Sequence, residues 1–164
     1  MIVTKLLKQD HEKVKELFEE FESLGERAFK GKLRVYRAIR QELDIHTQIE
    51  EELFYPAVKR AAISDDSTIV VEAYAEHDEV KILLGELEEL DPQDEQFDAK
   101  MIALQEKVEH HVKEEERKLF ALARKHLSRD DLLELGAELE GRKHELMGEP
   151  MAEREASKRP EQRT

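Results

Sequence analysis

Two short stretches set a histidine one helical turn ahead of a glutamate. They are His46 and Glu50 in "DIHTQIEEELFYP" (44–56), and His111 and Glu115 in "HHVKEEERKLFA" (110–121). Residues i and i+4 share a helical face, with Cβ atoms about 5–6 Å apart, so each pair can reach one ion. A histidine from a neighbouring helix completes the set, such as His11 for the first pair and His77 for the second. Each ion then has two imidazoles and one carboxylate. Three protein ligands leave coordination positions open, as a reactive site requires. Nitrogen and oxygen ligation suits iron, manganese, zinc or cobalt, and the chain has no cysteine for a thiolate site. Two such sets near one axis can share their glutamates as bridges. Two irons there can together deliver two electrons to O2.

The apolar pattern sets these residues on inward faces. The expected seam is Leu7, Val14, Phe18 and Phe21 on the first helix, and Ile39, Leu43 and Leu53 on the second. It continues with Val70, Ala73, Val80, Leu84 and Leu87 on the third, and Met101, Leu104, Val108 and Leu122 on the fourth. Spacings alternate between three and four, as a bundle requires. His11, His46 with Glu50, His77, and His111 with Glu115 fill the gaps. Burying two glutamates without a cation costs several kcal/mol or forces them to protonate.

A single His-x-x-x-Glu is a weak signal, because 40 of 164 residues are acidic. An internal repeat strengthens it. "QDHEKVKELFEEFESL" (9–24) aligns with "AEHDEVKILLGELEEL" (75–90) at an offset of 66, with seven of sixteen positions identical. "IHTQIEEELFYPAVKR" (45–60) aligns with "HHVKEEERKLFALARK" (110–125) at an offset of 65, pairing His46 with His111, Glu50 with Glu115 and Glu51 with Glu116. A duplicated helix pair gives a pseudo-two-fold bundle. The competing reading is a metal-free interaction module in which the six polar residues bond one another. His110, His126 and His144 read as surface residues, and Tyr74, Phe54, Tyr55 and Phe120 as packing around the site.

The helices expected to carry these residues span roughly 3–28, 32–62, 66–90 and 94–126, with a shorter fifth helix from the Ser128 cap to about 146. Pro56 should kink the second helix, and Ser64 with Asp65 should form the N-cap region of the third. Short connections between four long helices make the fold all-α, an up-down-up-down four-helix bundle with a short fifth C-terminal helix. The domain is expected over 1–147, with 148–164 a disordered tail. Charged residues make up 41% of the chain and the net charge is −13. That weighs against nucleic acid and anionic membranes as partners. The first residues hold too short an apolar run for a signal peptide, and no stretch approaches 18 apolar residues, so a cytoplasmic protein without a signal-output segment is expected.

"DHEKVKELF", "HTQIEEELFYP", "EHDEVKILL" and "HHVKEEERKLFA" resemble the hemerythrin-like, or HHE cation-binding, family over roughly residues 3–145. The resemblance implies a four-helix bundle holding a non-haem di-iron centre, oxo- or hydroxo-bridged. One iron takes His11, His46 and Glu50, the other His77, His111 and Glu115, with both glutamates bridging. It implies O2, peroxide or nitric oxide as ligand. The oxygen-carrying hemerythrins place five histidines around the pair. Only four stand at matching positions here, and Ala73 lies one turn before His77. Sensing, scavenging or peroxide decomposition, as in a stress response, therefore fits at least as well as O2 transport. The repeat also sets Ala121 where Pro56 stands, so the fourth helix is expected to run straighter. Iron storage or handling on a ferritin-like carboxylate bundle calls for Glu-x-x-His, and no histidine has a glutamate three residues before it.

Overall fold

The computed structural model describes residues 1–65 and 68–148. Among these residues there are five helices and no strand. Helix α1 is Val3–Ser23, shorter than expected because Leu24 turns extended (ψ 144°) ahead of Gly25. Helix α2 begins at Phe29, so Gly31 falls inside it. It runs as Phe29–Ile49, passes through a π-helical turn Glu50–Phe54 and continues as Tyr55–Ala61. Helix α3 is Thr68–Glu88. Helix α4 repeats the pattern of α2, with Glu95–Glu114, a π turn Glu115–Leu119 and Phe120–His126. Helix α5 is Arg129–Gly148.

Local chemistry explains the ends. Asp94 caps α4 by accepting the Gln96 N–H at 2.9 Å. At α5, the Ser128 hydroxyl accepts the Asp131 N–H at 3.0 Å and the Asp131 carboxylate accepts the Ser128 N–H at 3.2 Å, a reciprocal cap. Ser64 and Asp65 border residues outside the description, and Asp65 instead accepts His126 and Lys125 from the end of α4. The tail from 149 onwards also lies outside the described residues.

Helix α1 packs on α2 and α3 packs on α4, forming a four-helix bundle. Helix α5 lies along α1 and α2, burying Leu132, Leu135, Leu139 and Leu146. Gly136 is required there: a Cβ would sit 1.9 Å from the Met1 carbonyl oxygen. The core falls into two clusters. One holds Leu7, Ile49, Phe54, Val58, Leu119 and Phe120, the other Val14, Phe18, Ile39, Leu84, Met101 and Leu104. The histidines and glutamates occupy the layer between them.

The π turns set the register of everything after them. The Tyr55 N–H bonds the Glu50 carbonyl and the Phe120 N–H bonds the Glu115 carbonyl, five residues apart in each case. One extra residue rotates the following face by about 100°. Leu53 and Leu122, expected in the seam, are therefore only half-buried, as is Phe21 on α1. Phe54, Tyr55 and Val58, and in the second copy Leu119, Phe120 and Ala123, take the interior instead. Pro56 is not the cause, because α4 makes the same turn with Ala121. Both helices are interrupted at the same place in the repeat, the one with Pro56 and the one with Ala121 alike. No helix among the described residues is long and apolar enough to cross a membrane.

Candidate metal centre

All six residues singled out from sequence meet in one buried layer. His11, His46, Glu50 and Glu115 form one group and Glu50, His77, His111 and Glu115 another, with ligand atoms in each within 4.8 Å of one another. Both glutamates thus belong to both groups. Glu50 Oε1 lies 3.1 Å from His46 Nε2 and 3.1 Å from His77 Nε2. Glu115 reaches His11 Nε2 with Oε1 at 3.1 Å and His111 Nε2 with Oε2 at 3.2 Å. The glutamate side chains are fully buried, one regular turn after His46 and His111 on the same inward face and just ahead of each π turn.

The other ring nitrogens face outwards, each to its own carboxylate. His46 Nδ1 bonds Asp10 at 3.0 Å, His11 Nδ1 bonds Glu116 at 2.7 Å, His77 Nδ1 bonds Glu51 at 2.9 Å and His111 Nδ1 bonds Glu76 at 2.7 Å. An ionised carboxylate only accepts, so each Nδ1 carries the hydrogen. In the neutral imidazoles every Nε2 then presents a lone pair to the centre. His11 and His46 bring theirs within 3.2 Å, and so do His77 and His111. Four lone pairs and two carboxylates face one another, and Glu50 Oε2 has no hydrogen-bond donor among the described residues. Positive charge must enter, as protons or as a metal cation. Burial disfavours the charged form of His111, but Glu115 and Glu76 outweigh it and push the group up to about 10. His11 and His46 are raised in the same way against burial, by Glu115 and Glu116 and by Glu50 and Asp10. Glu115 is held far below the ordinary range although burial opposes it. The donor set fits a hard or borderline divalent cation.

Several residues of the centre were not singled out from sequence. Asp10, Glu51, Glu76 and Glu116 each adjoin a ligand candidate in the chain and recur across the repeat, Asp10 with Glu76 and Glu51 with Glu116. That recurrence was the available signal. Tyr55 gave none. Five residues beyond Glu50, a regular helix would turn it away, and only the π turn brings it in. Its hydroxyl donates to Glu115 Oε2 at 2.5 Å and lies 3.0 Å from His77 Nε2 and 3.2 Å from Glu50 Oε1. Burial, Glu115 and Glu50 all push its pKa far up, so it keeps its proton. Phe120, its repeat counterpart, stacks on His11 with ring centroids 6.1 Å apart. Tyr74 packs edge-on against Tyr55, and its hydroxyl donates to the Glu51 carbonyl at 3.4 Å. That carbonyl's π-helical partner would be Pro56, which has no N–H. His110 and His144 are exposed as expected, whereas His126 is half-buried against Asp65.

Two clefts reach the layer. One, of about 290 Å³ between α3 and α4, is lined by Ala73, Glu76, Lys118, Leu119 and Glu115. The other, of about 480 Å³ between α1 and α4, is lined by His11, Val14, Phe18, Val108 and Glu116.

The comparisons agree with this geometry. A DNA nickase from Nostoc sp. is 29% identical over 147 residues, taking in 89% of this chain and 40% of that protein. The chain thus spans less than half of that relative. The crystal structure of a hemerythrin HHE cation binding domain-containing protein from Mycobacterium kansasii shares the fold, with a TM-score of 0.79 at 24% identity over 90% of this chain and 88% of the other. The sequence model of the hemerythrin HHE cation binding domain matches residues 3–123. That span includes all six buried ligand candidates, and the chain belongs to the hemerythrin HHE cation binding domain family.

Proposed function

We propose that the chain binds two iron ions, one through His11, His46 and Glu50 and the other through His77, His111 and Glu115, with both glutamates bridging. A pair held there would supply redox chemistry towards O2, peroxide or nitric oxide, in sensing, scavenging or a stress response in the cytoplasm. The carrying observation is the convergence of four Nε2 atoms on two buried carboxylates while every Nδ1 is held from behind by a carboxylate. Manganese or zinc suits the same donors. Iron bound there supplies the electrons that a small oxidant takes up.

The chain's own residues do the rest. Phe54, Leu119 and Phe120 exclude water from one side of the layer. The four outer carboxylates fix each imidazole's tautomer and orientation. Tyr55 holds a proton at its hydroxyl oxygen, beside Glu115. Ala73 leaves open the cleft that ends at Glu115. Glu72, Glu76 and Glu114 on its rim outnumber Lys118 and favour a neutral molecule over an anion. What the nickase relative does to DNA is not carried across: the chain spans 40% of it, and a net charge of −13 weighs against a phosphate backbone.

The test is metal content after iron-replete expression, with absorbance recorded before and after air. Two irons per chain and an air-dependent near-ultraviolet band are expected. Folded protein without metal would mean that the histidines and glutamates pair with one another, and the interaction-module reading would replace this one.

A further inference from the structure

Lys143 sits on α5, beyond the residues that match the family and outside the internal repeat. We infer that it is a positioning residue for the His11/His46 half of the centre, fixing the Asp10 carboxylate against His46 and compensating its charge. The inference rests on the metal-binding reading above.

Lys143 Nζ bonds Asp10 Oδ1 at 2.5 Å, while Asp10 Oδ2 accepts His46 Nδ1 at 3.0 Å. The carboxylate is thus pinned through both oxygens. Its side chain is 4% exposed and that of Lys143 is 26% exposed, so the pair is only weakly screened. Arg142, next in the chain, bonds Glu52 at 2.8 Å, and Leu139 and Leu146 are buried, so α5 is anchored on both sides of Lys143.

The other half has the same series of groups: His77 Nδ1, Glu51 and Lys81 Nζ, with both contacts at 2.9 Å. Yet the repeat generates only one of the two. Lys81 corresponds to Lys15, an exposed residue. Asp10 corresponds to Glu76, whose second oxygen has an exposed His110 at 3.4 Å. A helix from outside the duplication therefore supplies to the first half what α3 supplies to the second.

An outer carboxylate strengthens a metal-bound imidazole as an electron donor. A cation on that carboxylate tempers the effect. Without Lys143 the Asp10 carboxylate loses its bonded cation beside His46, and the oxidised metal would be favoured.

The test uses the iron-loaded full chain and reads its reduction midpoint by spectroelectrochemistry, with irons per chain and the melting curve as controls. Lys143→Met is expected to keep two irons and move the midpoint to lower potential, and Lys143→Arg to return it towards the starting value. Adding Lys143→Met to Asp10→Asn should produce no further shift, because the charge it compensates is gone. That double variant leaves no lone buried charge, so the comparison survives if Lys143→Met alone does not fold. An unchanged midpoint in Lys143→Met with two irons bound overturns this inference alone, as does a shift that persists on Asp10→Asn. Unsubstituted protein that takes up no iron overturns the metal reading and this inference with it.

Discussion

The two halves of the buried layer match in what the duplication copied and differ in what lies outside it. Each half has two histidines, a share of both glutamates and two outer carboxylates, at offsets of 65 and 66. The His77/His111 half adds the Tyr55 hydroxyl, where the His11/His46 half has the Phe120 ring. Its compensating lysine comes from α3, and that of the other half from α5. Duplication thus delivers a pair of near-equal histidine and glutamate groups. Single residues placed around them then make the halves unequal, which a centre needs if its two metals are to play different parts.

Removing what the halves share should break both at once. Glu115 touches His11 with one oxygen and His111 with the other. Glu115→Ala is expected to take iron from two per chain to nearly none, and to cost about 3–5 kcal/mol of metal-free stability as a broken buried ion pair. His11→Ala leaves His77, His111 and both glutamates in place and should retain about one iron per chain, the remaining half being complete. Metal analysis of the two variants decides it. Equal losses would show that the halves cannot be separated.

How much of this could be read in the sequence follows the same division. Whatever the repeat preserved was legible: the four histidines and two glutamates lie on seam positions of regular helices, and their periodicity placed them inside. The fold followed from the same periodicity and the short connections. The seam failed at Leu53 and Leu122, because a π turn adds a residue and rotates the helix beyond it. Nothing in a local stretch announces that turn. Pro56 suggested an irregularity in α2 but not in α4, where Ala121 stands and the turn recurs. Tyr55 was expected to pack around the site, but the entry of its hydroxyl into the layer was hidden for the same reason. Lys143 was hidden because its partner lies 133 residues away, on a helix that meets α1 only in the folded chain.

Exchanging the residues that distinguish the halves sharpens the comparison at smaller scale. Tyr55→Phe keeps the ring and its packing on Tyr74 but removes the donor to Glu115 Oε2. A buried acceptor that loses its donor costs about 1–3 kcal/mol, so metal-free stability in urea should fall by that amount while iron content stays at two. If Tyr55 only packs, the change should stay within about 0.5 kcal/mol.

The smallest effect separates Lys81 from its repeat counterpart, Lys15. Burial alone would raise the Glu51 carboxyl, but His77 and Lys81 hold it down at about 2, against an ordinary 4.5. A group depressed in the folded chain adds stability that is complete above its unfolded value. That stability is lost as pH falls from about 4.5 towards 2. Lys81→Met removes one of the two cationic partners, so Glu51 should take up its proton at a higher pH. In the metal-free protein the acid-unfolding midpoint, followed by far-ultraviolet circular dichroism, should move upwards. Lys15→Met removes the same charge from the corresponding position on α1, where the side chain is exposed, and should leave the midpoint in place. Equal shifts from the two variants would mean that net charge, and not the bond to Glu51, governs the acid limb, and that the lysine of the second half is no more specific than its copy in the first.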